Sequence, residues 1–165
     1  MKIGFIGAGK VGFTLGKYFC EHGIEVTGYH SRSIQSAKKA AAFTATAAYE
    51  DRSQLVADSD VLFFTVPDAC IASTFEAVRH ESIRGKVFCH CSGVLTASAG
   101  FPSIEQAGAS GYSAAAERRQ SARILLDVHA DEITQRRCAQ QLFFRKTADL
   151  VDAIQRQRCN NAVCA

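Results

Sequence analysis

Apolar and polar positions along the first hundred or so residues switch repeatedly between a strand period and a helix period. Lys2-Ile3-Gly4-Phe5-Ile6 is a short apolar, β-prone run that ends at a glycine cluster. Over residues 11–21 the apolar side chains fall at Val11, Leu15, Tyr18 and Phe19, the spacing of one helix face, and His22-Gly23 marks the stop. Residues 24–29 predict a second strand and residues 33–42 a second helix, with Ser33 as its cap. A weak third strand is expected over 43–47 and a short helix over 50–57. Residues 61–66 are continuously apolar, as in a parallel strand covered on both faces. Pro67 ends that run, and residues 68–79 predict another helix. Val87-Phe88-Cys89-His90 predicts a fifth strand, residues 103–107 a helical turn, and residues 111–114 a short sixth strand.

Strands alternating with helices imply an α/β fold with a parallel sheet and helices on both faces. Right-handed crossovers leave few topologies, and the doubly wound order is the commonest of them. This domain is expected to span residues 1–113, with an atypical helical tail over 114–165.

The turn between the first strand and the first helix carries chemistry. Gly7-Ala8-Gly9-Lys10-Val11-Gly12 fits G-x-G-x-x-G and follows a strand while opening a helix, the context in which the pattern is informative. Gly7 permits the tight turn, Gly9 lets the backbone approach a pyrophosphate, and Gly12 lets the helix pack closely on the sheet. The free N–H groups and the positive dipole end of the helix then face the phosphates. Gly7, Ala8, Gly9, Lys10, Val11 and Gly12 are therefore expected cofactor-binding residues of a Rossmann-type domain.

The end of the second strand selects among cofactors. NAD-binding domains place an acid there for the ribose 2′-hydroxyl, whereas this chain reads Gly28-Tyr29-His30-Ser31-Arg32-Ser33. Arg32 suits a 2′-phosphate through two parallel hydrogen bonds, and Ser31 and Ser33 can donate to the same group. The expected cofactor is NADP. FAD and S-adenosylmethionine, whose domains also favour an acid at this point, stay as less favoured alternatives.

Ligands of open α/β sheets lie across the carboxyl ends of the strands. Val66, Pro67 and Asp68 end the fourth strand, and His90-Cys91-Ser92-Gly93 ends the fifth. His90 is a candidate general acid or substrate-orienting group, because histidine titrates near neutrality. Ser92 is a candidate hydrogen-bond partner for a substrate carbonyl or the cofactor's carboxamide. Equally, both can satisfy buried backbone groups. Asp68 is a helix N-cap more readily than a catalytic acid.

Composition narrows the picture. At 165 residues, 47% hydrophobic, the chain builds one ordinary domain, and a net charge of +3 is too mild for a nucleic-acid surface. No run approaches a membrane span, and residue 2 leads straight into the glycine motif without a signal sequence, so the expected compartment is the cytoplasm. The seven cysteines are irregularly spaced and suggest no disulfide framework. Cys89-His90-Cys91 lacks a second ligand pair at zinc spacing, so no metal is expected.

On the glycine motif, Ser31-Arg32-Ser33, Val66-Pro67-Asp68, His90-Cys91-Ser92-Gly93 and Gly108-Ala109-Ser110-Gly111-Tyr112-Ser113, the run 2–113 resembles bacterial Rossmann-like proteins with a DUF2520 domain. These are similar to the group that holds pyrroline-5-carboxylate reductase, F420-dependent NADP reductase and the β-hydroxyacid dehydrogenases. The resemblance implies an NADP-linked oxidoreductase whose helical second domain completes the active site, often in a dimer. After Ser113 the family continues with a His-Pro pair and a long helical domain, but here the chain reads Ala114-Ala115-Ala116-Glu117-Arg118-Arg119-Gln120.

Composition shifts at the same point: six of the seven lysines precede Ser113, and eight of the twelve arginines follow it. The tail is read as an out-of-frame or remnant segment of an apparently truncated protein. A real helical extension, with an apolar stripe of Ile133, Leu142, Leu150, Val151 and Ile154, is the alternative.

Two functions are expected on this basis. One is hydride transfer between NADP(H) and a small carbonyl or imine. The other is a non-catalytic NADP-binding module or an inactive product, with self-association or dimerisation through surface that the absent domain leaves uncovered.

Overall fold

A computed structural model of the chain describes residues 1–113 together with 149, 151, 152 and 156. Two compact units divide the chain, Met1–Ser113 and Ala114–Ala165. The expected tail over 114–165 lies outside the described residues except for those four positions, which are helical.

The first unit is a six-stranded, wholly parallel sheet of β1 (Lys2–Ile6), β2 (Glu25–His30), β3 (Ala47–Tyr49), β4 (Val61–Phe64), β5 (Val87–His90) and β6 (Ser110–Ser113). Its order is β3-β2-β1-β4-β5-β6. The direction of winding reverses between β1 and β4, and the switch point beside their carboxyl ends is where this architecture opens a crevice. The helices are α1 (Lys10–Glu21), α2 (Ile34–Thr44), α3 (Arg52–Asp58), α4 (Asp68–Glu76) and α5 (Ala97–Gly100), followed by a 3-10 turn at Ile104–Ala107.

The continuous apolar runs are explained by burial on both faces of the sheet. All four residues of β4 and all four of β5 are buried, His90 among them. On one face Phe5 stacks on Tyr29 with ring centroids 5.1 Å apart and packs against Phe19 and Phe63 at 6.1 and 5.6 Å. Burial pushes the Tyr29 phenol up to about 12, and the absence of a side chain at Gly16 gives its ring room, since a Cβ there would collide with the Tyr29 hydroxyl. On the other face Phe64, Phe75, Phe88 and Phe101 form an edge-to-face cluster with centroids 5.2–6.0 Å apart. Each such pair contributes about 0.5–1.5 kcal/mol beyond its buried area.

Several boundaries differ from the sequence expectation. Of residues 43–47 only Ala47 belongs to the third strand. Helix α2 runs on through Thr44, whose hydroxyl donates to the Ala40 carbonyl at 3.0 Å, and Phe43 packs edge-on to Phe13 of α1. The chain turns at Ala45, in the left-handed region at φ 55°, and only then enters β3. Ser33 precedes α2 but makes no side-chain capping bond. The cap of α3 is Asp51, whose carboxylate accepts from the Ser53 N–H at 2.9 Å. Pro67, not Asp68, occupies the N-cap position of α4, which leaves the Asp68 carboxylate free to bond elsewhere.

Candidate dinucleotide site

The glycine turn is shaped by its neighbours on β2 and β4. Gly7 has φ +111°, a conformation that side chains rarely adopt, and a Cβ there would meet the Thr65 carbonyl oxygen at 2.6 Å. Its N–H donates to the His30 carbonyl at 2.8 Å, and its own carbonyl accepts from Thr65 Oγ1 at 2.8 Å. Gly12 is buried beneath the same threonine, with room for a Cβ denied by Thr65 Oγ1 at 2.5 Å. Gly9 stands differently. It is the N-cap of α1 with extended backbone, and a Cβ on it would meet nothing within 4 Å. It therefore caps no N–H group of the first helical turn and keeps the space before them open, as a phosphate cradle requires.

This turn opens into a cleft of about 590 Å³. Gly7, Ala8 and Gly9 of the glycine turn line it, as do Ser31, Arg32 and Ser33 after β2 and Val66 and Pro67 after β4. Of the residues expected from sequence, these eight come together. Lys10 and Val11 are exposed in the first turn of α1, Gly12 is buried, and none of the three lines the cleft. Ile6, His30, Ser36, Arg52, Thr65, Cys70, Ser73 and Thr74 line it as well and were not singled out by sequence. No carboxylate is among its lining residues. Arg32 is exposed and has no hydrogen-bond or ion-pair partner among the described residues.

Asp68, His90 and Ser92 stand outside this cleft. Ser92 is 3% exposed; its hydroxyl donates to Asp68 Oδ2 at 2.7 Å and accepts from the Val94 and Leu95 N–H groups at 3.2 and 3.1 Å. These bonds tie the loop after β5 to the start of α4 through Asp68 Oδ2. His90 is wholly buried, 5.3 Å from the Phe101 ring between centroids, and its Nε2 lies 3.1 Å from the Thr96 carbonyl oxygen. A carbonyl only accepts, so Nε2 carries the proton and Nδ1, buried without a partner among the described residues, is bare. Burial holds the imidazole below its ordinary value, more strongly than the Thr96 bond and the Asp68 charge raise it. The ring is thus kept neutral inside the fold.

Burial likewise raises the thiols of Cys89 and of the half-buried Cys91, the latter to about 12, which keeps both protonated near neutral pH. No helix among the described residues is long and apolar enough to cross a membrane.

The glycine turn, the sheet order and the cleft at the switch point agree with a match to the family of NADP oxidoreductases described as coenzyme F420-dependent, which covers residues 2–92, more than half of the chain. The chain belongs to this family. None of the curated proteins matches it.

Among solved structures, the chain is similar to the imine reductase of Bacillus cereus, with 22% identity over 68% of this chain and 38% of that one, at a TM-score of 0.56. It is similar to the 3-hydroxyisobutyrate dehydrogenase of Mycobacterium tuberculosis at 20% identity, covering 66% of this chain and 38% of that one, TM-score 0.58. The UDP-N-acetylglucosamine 3-dehydrogenase of Acidithiobacillus ferrooxidans gives 17% identity, 73% and 43% coverage, and a TM-score of 0.58. These likenesses show the fold. The chain spans only about 38–43% of the length of those structures.

Proposed function

We propose that residues 1–113 bind NADP(H) and that the whole protein transfers hydride between this cofactor and a small carbonyl or imine. The observation that carries the cofactor choice is the charge of the cleft: Arg32 is exposed and unpaired at the end of β2, and no carboxylate lines the space around it. A 2′-phosphate would meet Arg32 and the Ser31 and Ser33 hydroxyls there, and nothing would repel it. The open space before Gly9 and the uncapped first turn of α1 would receive the pyrophosphate. Lys10, Val11 and Gly12 would serve through the backbone N–H groups of that turn, and Val66 and Pro67 as the wall of the cleft. When bound, the cofactor supplies the hydride, and the chain binds and orients it.

A non-catalytic NADP-binding module is favoured by one observation. Asp68, Ser92 and His90 are bonded to one another's surroundings inside the fold and line no part of the cleft. In the catalytic reading these residues position the loop after β5, and the proton donor is a group other than these three.

The test is a calorimetric titration of the chain with NADPH and NADH, repeated on Arg32→Ala. Tight NADPH binding that falls to the level of NADH in the variant supports the cofactor reading; a folded protein that binds neither overturns it. Oxidation of NADPH with a panel of ketones, imines and oxidised coenzyme F420 then separates the enzyme, which turns over, from the module, which does not.

A further inference from the structure

We propose that Arg52 is the nucleobase platform of the cleft, a specificity-determining residue on whose guanidinium face the adenine ring of the dinucleotide stacks. The inference rests on the cofactor reading above. The cleft holds two arginines, and the fold presents them in opposite ways. Arg32 is exposed, with no hydrogen-bond or ion-pair partner among the described residues, and so is available to an anionic group. Arg52 is tied down: its Nη2 donates to the Ala77 carbonyl at 3.0 Å, and its Nε lies 3.8 Å from Glu81 Oε1, with the two side chains 31% and 18% exposed. The adjacent Ser53 hydroxyl donates to that same Glu81 oxygen at 3.1 Å.

This tether has two consequences. The charge of Arg52 is compensated by Glu81, which is not itself among the residues lining the cleft, so Arg52 is poorly suited to be a second phosphate ligand. Its planar group is also held in one orientation, and a fixed guanidinium plane is a good partner for an aromatic ring. Stability alone gives little reason for the arrangement. Arg52 Nε and Glu81 Oε2 are buried atoms with no hydrogen-bond partner among the described residues, so this half-buried pair leaves part of its polar capacity unmet.

Position in the fold points the same way. Arg52 begins α3, directly after β3, within the β1-α1-β2-α2-β3 half that receives the first mononucleotide in doubly wound sheets. Val66, Cys70 and Thr74 line the same cleft from the end of β4 and from α4. Arg52 and these small or apolar side chains would make a nucleobase slot in the cleft that Arg32 also lines.

The experiment titrates the full chain and its Arg52→Ala and Arg52→Lys variants with NADPH, NADH and 2′,5′-ADP, with a urea unfolding curve for each. Lysine keeps the charge and a donor for Glu81 and the Ala77 carbonyl but has no plane. A platform predicts that both variants weaken NADPH and 2′,5′-ADP by roughly 3- to 30-fold, that the ratio of NADPH to NADH affinity stays at the wild-type value, and that Arg52→Lys unfolds near the wild-type midpoint. Wild-type affinity for 2′,5′-ADP in Arg52→Lys would show a mere strut between α3 and α4 and overturn the inference alone. Collapse of the NADPH to NADH ratio in either variant would make Arg52 a phosphate ligand and overturn it as well. A wild-type chain that binds none of the three ligands would remove the cofactor reading together with this one.

Discussion

After the end of β2 the Arg32 side chain is left open to the cleft, whereas after the end of β5 Ser92, Asp68 and the His90 Nε2–H are bonded within the fold. Arg32 is exposed without a partner, and Gly9 faces empty space. On the other side Ser92 makes three hydrogen bonds, Asp68 is engaged by it, and His90 is buried against Phe101 with its Nε2–H donating to the Thr96 carbonyl. Both regions lie at the carboxyl edge of one sheet and both carry the residue types of an active site. The difference teaches that residue type does not distinguish a group waiting for a ligand from one already satisfied. Satisfaction does: an exposed polar group without a protein partner can exchange water for a ligand, and one already paired inside the fold gains little from a ligand.

Substitutions should therefore separate stability from binding along this edge. The largest effect is expected from Phe101→Ala, which empties the aromatic cluster beneath His90 and should lower the unfolding free energy by about 3–5 kcal/mol in urea titrations. A loss below ~1 kcal/mol would mean that the β5 side is not the rigid half. Arg32→Ala acts on the other side. It should remove about 1.5–3 kcal/mol of NADPH binding, the range for charge-assisted hydrogen bonds, while the urea midpoint and NADH affinity stay put. Ser92→Ala should cost about 1–3 kcal/mol of stability, because the Val94 and Leu95 N–H groups and Asp68 lose their common partner; an unchanged unfolding curve together with weakened NADPH binding would move Ser92 to the open half.

Gly9→Ala sharpens the contrast at a smaller scale. Its Cβ meets nothing in the fold, so stability should stay within about 0.5 kcal/mol of wild type, yet a methyl group in the phosphate space should weaken NADPH by about tenfold, or ~1.4 kcal/mol.

The smallest effect concerns pH. Burial depresses the His90 imidazole below its ordinary value of 6.5, so the unfolded chain binds a proton more readily than the folded one. The stability linked to His90 is then fully present above 6.5 and is lost as pH falls below that value towards the folded one. Urea midpoints should decline over that interval in the wild type, and the decline should flatten in His90→Gln; parallel curves for the two proteins would place the ring in a more open setting.

Much of the scaffold was legible because its signals are local. Lys2–Ile6 and Val87–His90 form strands with the boundaries read from their apolar runs. The run at 43–47 misled because a short apolar stretch satisfies either period, and the decision came from Phe13, thirty residues away, against which Phe43 packs. Asp68 was misplaced for a similar reason. Its sequence neighbours favour a cap, but its partner is Ser92 on another element. Thr65 and Arg52 escaped notice entirely: nothing in their local sequence marks them, and only β4 lying against the glycine turn and α3 lying against Glu81 and Ala77 bring them to the cleft.

The sequence by itself determined the α/β class, the parallel sheet, the glycine turn and the absence of an acid after β2, because each is carried by residues a few positions apart and by backbone rules that act over one or two turns. Tertiary structure alone decided which polar side chains face the cleft and which are spent within the fold. That outcome depends on hydrogen bonds of 2.7–3.2 Å between residues such as Asp68 and Ser92, or Thr65 and Gly7, which are 24 and 58 positions apart in the chain, and no local pattern encodes a contact that exists only once the sheet has formed.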